Sequence, residues 1–214
     1  MQKGENVIII DLTMLDNTTD AYMSHIERRQ KEKEEIKQSI LDAARKIAAK
    51  EGWNALTIRK IADEIEYTPP IVYEYFENKE DLIREIIDAG FVKLGKEISA
   101  AQQSSSDPRE LLRKLSLIHW DFAFNNIELY QIMFSLERPT PNEDMLSVIK
   151  IIENTFLDLT ANNKELMHEI VFDWMCLIQG AISIVIKTPT LPHLEGKDPR
   201  DIFTNMINRF INSL

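Results

Sequence analysis

One cysteine and six glycines among 214 residues leave few protein classes open. A single thiol, Cys176, excludes an internal disulfide framework and any zinc site built on cysteines. Its neighbours Trp174, Met175, Leu177 and Ile178 predict a small buried apolar residue in a reducing compartment. The four histidines, His25, His119, His168 and His193, show no metal-ligand spacing, and no phosphate loop, nucleophile elbow or nucleotide fingerprint is present. The sequence therefore predicts no metal, no cofactor and no catalysis. The first apolar run, Val7 to Ile10, is short and follows one lysine rather than a basic region, which is not the pattern of a signal peptide. The expectation is a cytoplasmic protein without a membrane partner.

Positive charge is also scarce. Lysine and arginine number 25 against 35 acidic residues, for a net charge of -10, and none of the regions 1–32, 33–80, 81–104 and 105–214 is basic overall. Nucleic-acid binding must then rest on a few well-placed cations and be strongly salt-dependent.

What the chain does have is helical periodicity. The eight prolines fall where helices begin or end, and the apolar spacing after residue 33 predicts an all-α fold. Residues 1–32 read as an extension, with strand character in NVIIIDL. Residues 33–80 read as a three-helix unit: Glu34 to Lys50, stopped by Gly52; Ile58 to Ile65, capped by Thr57; and Thr68 to Phe76. Residues 81–214 read as a larger helical domain. Its first helix starts at Asn78 and ends at the polar stretch QQSSSDP (102–108), where the main boundary is placed. Asp107-Pro108-Arg109-Glu110 and Asp198-Pro199-Arg200-Asp201 repeat one start signal, with Thr140-Pro141-Asn142-Glu143 as a third version. Helices are predicted at about 108–125, 127–136, 141–162, 164–187 and 199–213. The first of the last two is apolar on nearly every side and the second carries a repeating apolar pattern, so the pair either suits a dimer interface or only covers the core of one subunit.

The stretch EYTPPIVYEYFENKEDL (66–82) carries the chemistry. With Thr68 as N-cap, Pro69 and Pro70 occupy the first two helical positions, where no amide hydrogen bond is lost. If this is the second helix of a helix-turn-helix, its tip, Thr68 to Ile71, meets base edges in a major groove. The prolines then offer flat apolar faces to thymine methyl groups. Tyr73 and Tyr75 lie on flanks from which phenols reach phosphates, while Phe76 points inward. Lys79 stands in the first turn of the next helix, where the helix dipole disfavours a cation unless a phosphate is near. Arg59, one helix earlier, is the bidentate donor best suited to read a base, or is a solvated cation paired with Asp63. Arg28, Arg29, Lys31 and Lys33 are either a DNA-reaching arm or an ordinary helix start.

From Ile36 to Leu82 the pattern is specific: a glycine and aromatic after the first helix (Gly52-Trp53), Thr57 before the second, Tyr73 to Phe76, and Asn78-Lys79 to Leu82. This resembles the DNA-binding domain of the TetR/AcrR family of transcriptional regulators. The resemblance implies that Thr57, Tyr73, Tyr75 and Lys79 hold phosphates and that Arg59 reads a base. It implies a homodimer on a palindromic double-stranded DNA operator, acting as a repressor released by a small apolar or amphipathic effector. Two departures stand out: Glu66 replaces the family's inter-helix glycine, and the paired prolines replace polar or small residues.

Beyond residue 100 the resemblance thins, although IELYQIMF (127–134) is similar to a segment of the family's AcrR-type branch. An effector cavity between helices is expected to draw on Trp120, Phe124, Tyr130, Met133, Phe134, Phe156, Trp174 and Met175. His119 and Gln179 are the expected polar groups, with Asn125 and Gln131 as further orienting residues. The rival reading is a helical ligand carrier or protein-interaction module that keeps the helix-turn-helix as scaffold.

Overall fold

A computed structural model describes residues 12–135, 143–188 and 195–214, with side chains from Glu27 on, Asp144 apart. Every regular element among these residues is helical. In order they are α1 (Leu12–Glu51), a 3-10 turn (Trp53–Ala55), α2 (Ile58–Glu64), α3 (Pro69–Tyr73), α4 (Lys79–Gln103) and α5 (Pro108–Asn125). Then come α6 (Ile127–Met133), α7 (Glu143–Leu159), α8 (Lys164–Lys187) and α9 (Pro199–Ser213).

Helix α1 is 40 residues long and begins well before the predicted Glu34. No proline or glycine occurs from Leu12 to Glu51, so nothing in the sequence breaks it. All but the last residue of NVIIIDL lies outside the described residues. The C-terminal half of α1 buries Ile40, Ala43, Ala44 and Ile47. It stops at Gly52, whose φ of 82° and ψ of 157° belong to a region that only glycine enters freely.

Helices α2 and α3, with Phe76 just beyond α3, close the N-terminal unit by burying Ile61, Ala62, Val72 and Phe76 in one core with α1. Each full burial of such a side chain contributes about 1.5–3 kcal/mol. The turn after α2 keeps the left-handed geometry usually given to glycine. Glu66 has φ 60°, the Tyr67 N–H reaches the Ala62 carbonyl at 2.9 Å, and the Glu66 N–H reaches Asp63 at 3.3 Å. This is a Schellman closure with a glutamate in the strained position. Holding a residue with a Cβ in this geometry costs on the order of 1–2 kcal/mol.

The start signals act as expected. The Asn78 side chain accepts from the Asp81 N–H at 2.8 Å, Asp107 accepts from Arg109 and Glu110, and Asp198 accepts from Arg200. Only Glu143 of the third signal is described, and α7 begins there. Helix α4 runs from the N-terminal unit, where Glu85 pairs with Lys37 of α1, into the bundle, where it packs on α5, α6 and α7. Ser104 to Asp107 joins α4 to α5, two helices that pack on each other. Gly90 lets α6 approach α4: a Cβ there would stand 2.5 Å from the Met133 sulfur.

Helix α8 is long and apolar enough, by length and composition alone, to cross a membrane. It buries only one stripe in the bundle, Met167, Trp174, Ile178 and Ile182. Leu166, Phe172, Met175 and Ile184 are exposed. Cys176 is exposed with them, contrary to the expectation of a buried thiol. Apolar neighbours in sequence did not mean burial, because this helix is apolar on both its covered and its uncovered sides.

Candidate nucleic-acid interface and adjoining cavity

The capping of α3 differs from the sequence reading in one informative respect. Thr68 has the extended backbone of an N-cap, but its side chain makes no capping hydrogen bond. An N-cap oxygen accepts from the second or third helical N–H. Pro70 has no N–H, and the Ile71 N–H is bonded to the Thr68 carbonyl at 3.0 Å. The Thr68 hydroxyl is left exposed and available beside the exposed Pro70 and half-buried Pro69 and Ile71.

Around that tip, Tyr73 is 56% exposed, while Tyr75 is half-buried. Burial, then Glu74 and Tyr67, push the Tyr75 phenol above its ordinary range, so it remains an O–H donor at neutral pH. Phe76 is buried, as its inward reading required. Thr57 caps α2 by accepting from the Lys60 N–H at 3.2 Å. Arg59 is exposed and, among the described residues, forms no ion pair, so the Asp63 pairing is absent. Lys60 by contrast is held by Glu51 at 2.6 Å, which keeps that carboxyl below its usual range. Lys79 donates to the Trp53 carbonyl at 3.3 Å, leaving further N–H donors on its ammonium. Arg28, Arg29, Lys31 and Lys33 are exposed, and two of them face Glu32 and Glu35 one turn along.

The bundle contains a cavity of about 660 Å³. Of the residues anticipated for it, His119, Phe134, Trp174, Met175 and Gln179 line it. Trp120 and Phe124 do not: Trp120 stacks on Phe203 of α9 and packs at a tilt against Phe124, each at 4.5 Å. Met133 is buried against Gly90, and Phe156 packs on Trp174 at 5.5 Å as core. Tyr130 and Gln131 lie beside a smaller recess instead, and Asn125 is exposed at the end of α5. The rest of the wall was not anticipated. It consists of Phe91 and Leu94 from α4, Met145, Val148, Ile149, Ile152 and Glu153 from α7, and Val171 and Ile178 from α8.

His119 is the defined polar group of this wall. Its Nδ1 lies 2.8 Å from the Leu115 carbonyl, which can only accept, so Nδ1 carries the proton. Burial lowers its pKa, with the Leu115 hydrogen bond opposing, and the neutral ring leaves Nε2 as an acceptor. Trp174 is turned edge-on to His119 at 5.4 Å and donates to Ser116 Oγ at 2.8 Å. Among the described residues no three metal-ligating side chains converge.

A joint connects the N-terminal unit to the bundle. Arg45 of α1 donates from Nε at 3.2 Å and from a terminal nitrogen at 2.6 Å to Glu128 of α6. The Trp53 indole donates to the Glu128 carbonyl at 2.8 Å. At the other end of α6, Phe134 lines the cavity.

The fold defines an all-helical protein with a helix-turn-helix at one end and a cavity-bearing bundle at the other. Residues 40–86 match the family model for bacterial regulatory proteins of the tetR family. Over 105 residues it is 25% identical to the HTH-type transcriptional repressor NicS of Pseudomonas putida, covering 49% of this chain and 50% of the relative. Over 102 residues it is 24% identical to the HTH-type transcriptional activator FasR of Mycolicibacterium smegmatis, covering 48% and 47%. The match thus spans about half the length of these curated relatives. The solved structure of FadR from Bacillus subtilis in complex with stearoyl-CoA superposes with a TM-score of 0.65 at 14% identity. It covers 83% of this chain and 98% of that one, a likeness of fold.

Proposed function

We propose that this protein is a ligand-responsive transcriptional repressor that binds a palindromic operator as a homodimer and is released by an apolar or amphipathic effector. The observation that carries the reading is the joint at Glu128. It fixes the helix-turn-helix to one end of a short helix whose other end borders the cavity, so a ligand that moves Phe134 acts on α6 and through it on α1. Release then follows as a shift between two arrangements, provided the ligand prefers one of them.

Thr57, Tyr73, Tyr75 and Lys79 hold phosphates in this reading, Thr68 to Ile71 fill the groove, and Arg59 reads a base. Two such tips in a dimer meet half-sites about 34–36 Å apart. The exposed apolar side of α8 supports dimerisation, and the stearoyl-CoA bound by the B. subtilis relative supports an effector with an apolar chain. One curated relative represses and the other activates, so the sign needs its own measurement.

The test is selection of bound DNA from a random library, repeated with a small-molecule panel for release, followed by transcription from the selected sequence. Enrichment of a palindrome, release by a panel member and lower transcription with protein bound are expected. No enrichment at low salt would leave the carrier or scaffold reading in its place. Operators selected by Arg59→Ala with unchanged base preference would remove Arg59 from the reading set.

A further inference from the structure

The Tyr130 hydroxyl is buried and has no hydrogen-bond partner. Tyr130 as a whole is 2% exposed, and burial holds its phenol protonated far above neutral pH. Gln179, which borders a recess with it, opposes that rise, but its distance and angle to the hydroxyl do not make a hydrogen bond. An orphaned buried donor costs about 1–3 kcal/mol and calls for an acceptor.

Tyr130 lines a recess of about 180 Å³ between α6 and α8, shared with Gln179, Ser183 and Lys187. Phe134 and Gln179 line both this recess and the 660 Å³ cavity, so the two adjoin through these side chains. Their chemistry is opposite. The cavity wall carries no cation, and its one charged residue is Glu153. The recess offers a lysine ammonium, a serine hydroxyl, an amide and the unpaired phenol, and no carboxylate.

The geometry points to a carboxylate-headed amphiphile as the effector class, its chain in the cavity and its carboxylate in the recess on Lys187 and the Tyr130 hydroxyl. This rests on the reading of the cavity as the effector site. The orientation follows from charge: an anionic head among apolar walls beside Glu153 lacks compensation, whereas beside Lys187 it gains an ion pair and the orphaned donor gains an acceptor. A single cation matches a singly charged carboxylate better than a dianionic head. The recess has room for about six waters at ~30 Å³ each, which suits a compact head group.

Three probes with the same chain and different heads test this on the full-length protein: dodecanoate, dodecanol and dodecyltrimethylammonium, with binding read by calorimetry. Dodecanoate is expected to bind at least tenfold more tightly than dodecanol, and the cation more weakly than either. Lys187→Gln should remove most of the dodecanoate advantage and leave dodecanol unchanged. Tyr130→Phe should weaken dodecanoate several-fold while raising the melting temperature of the ligand-free protein, because the orphaned hydroxyl is gone. Equal binding of dodecanoate and dodecanol, or a Lys187→Gln protein that keeps the preference, overturns the carboxylate assignment while leaving the cavity reading in place. Failure of all three probes to bind overturns both.

Discussion

Glu128→Gln is the substitution that most directly tests the connection between cavity and helix-turn-helix. The change keeps the backbone carbonyl that receives the Trp53 indole, and it removes the charge that receives two donors from Arg45. The Glu128 side chain is 18% exposed and that of Arg45 35%, so the pair is neither dry nor fully screened. Hydrogen bonds to charged groups contribute about 1.5–3 kcal/mol when buried, and exposed ion pairs about 0–1. A value near 1–2 kcal/mol fits this partly covered pair. For a chain of this size that corresponds to a fall in melting temperature of about 2–8 °C. If the joint transmits the signal, the fold-release of operator by an active panel compound should shrink by about 5–30-fold, the same energy expressed as a ratio. Operator affinity by fluorescence anisotropy, with and without that compound, gives the number. A variant that melts earlier yet releases operator as well as the parent would show that the pair is only structural. Arg45→Met should then be combined with it: the double variant is expected to lose little more than either single one.

Three other outcomes follow from separate parts of the molecule. Lys79→Ala should weaken operator binding on all sequences alike and lower the slope of log affinity against log salt by about 1.8 for a dimer, taking ~0.9 per phosphate contact; an unchanged slope would mean that the ammonium serves only the Trp53 carbonyl. A Cβ at Gly180 on α8 meets nothing within 4 Å in the single chain, so Gly180→Leu should leave the monomer folded, with helix propensity improved by up to ~1 kcal/mol. The same change should shift the mass in light scattering from dimer toward monomer, and an intact dimer would place the interface elsewhere. His119 is held neutral by burial, so the unfolded chain takes up a proton that the folded one refuses. Stability should therefore be constant above the ordinary value of 6.5 and fall as pH drops below it, until the lowered folded-state pKa is reached. His119→Gln should flatten that part of a melting-temperature profile.

The helix starts were legible because they are local. Asn78, Asp107 and Asp198 each cap with residues two or three positions away, and a proline at the first turn can be read from sequence alone. The missing cap at Thr68 was legible in principle, since Pro70 removes the N–H that the hydroxyl needs. The cavity was not. Phe91, Leu94 and Ile152 have the same periodicity as core residues, and sequence spacing cannot separate a side chain that meets a neighbour from one that faces open space. Trp120 was misplaced for the converse reason: its partner Phe203 lies on the last helix, a contact that only tertiary packing creates. The reach of α1 back to Leu12 was missed because a mostly polar segment gives no apolar stripe, and the absence of breakers was the sole available sign.

The double proline at the tip of α3 bears on how a regulator and its binding sites diverge over generations. A side chain bonded to a base edge ties both partners, because changing either leaves a buried group unsatisfied at about 1–3 kcal/mol. Pro69 and Pro70 have no donor to leave stranded, and the next N–H is already taken by Thr68. In the proposed DNA-bound dimer, base changes beneath the prolines would cost contact area rather than a lost bond, whereas a base read by Arg59 would be held. Sites scattered through a genome would then drift freely at their centres of apolar contact and stay fixed at one position per half, giving a loose regulon anchored by a single invariant pair.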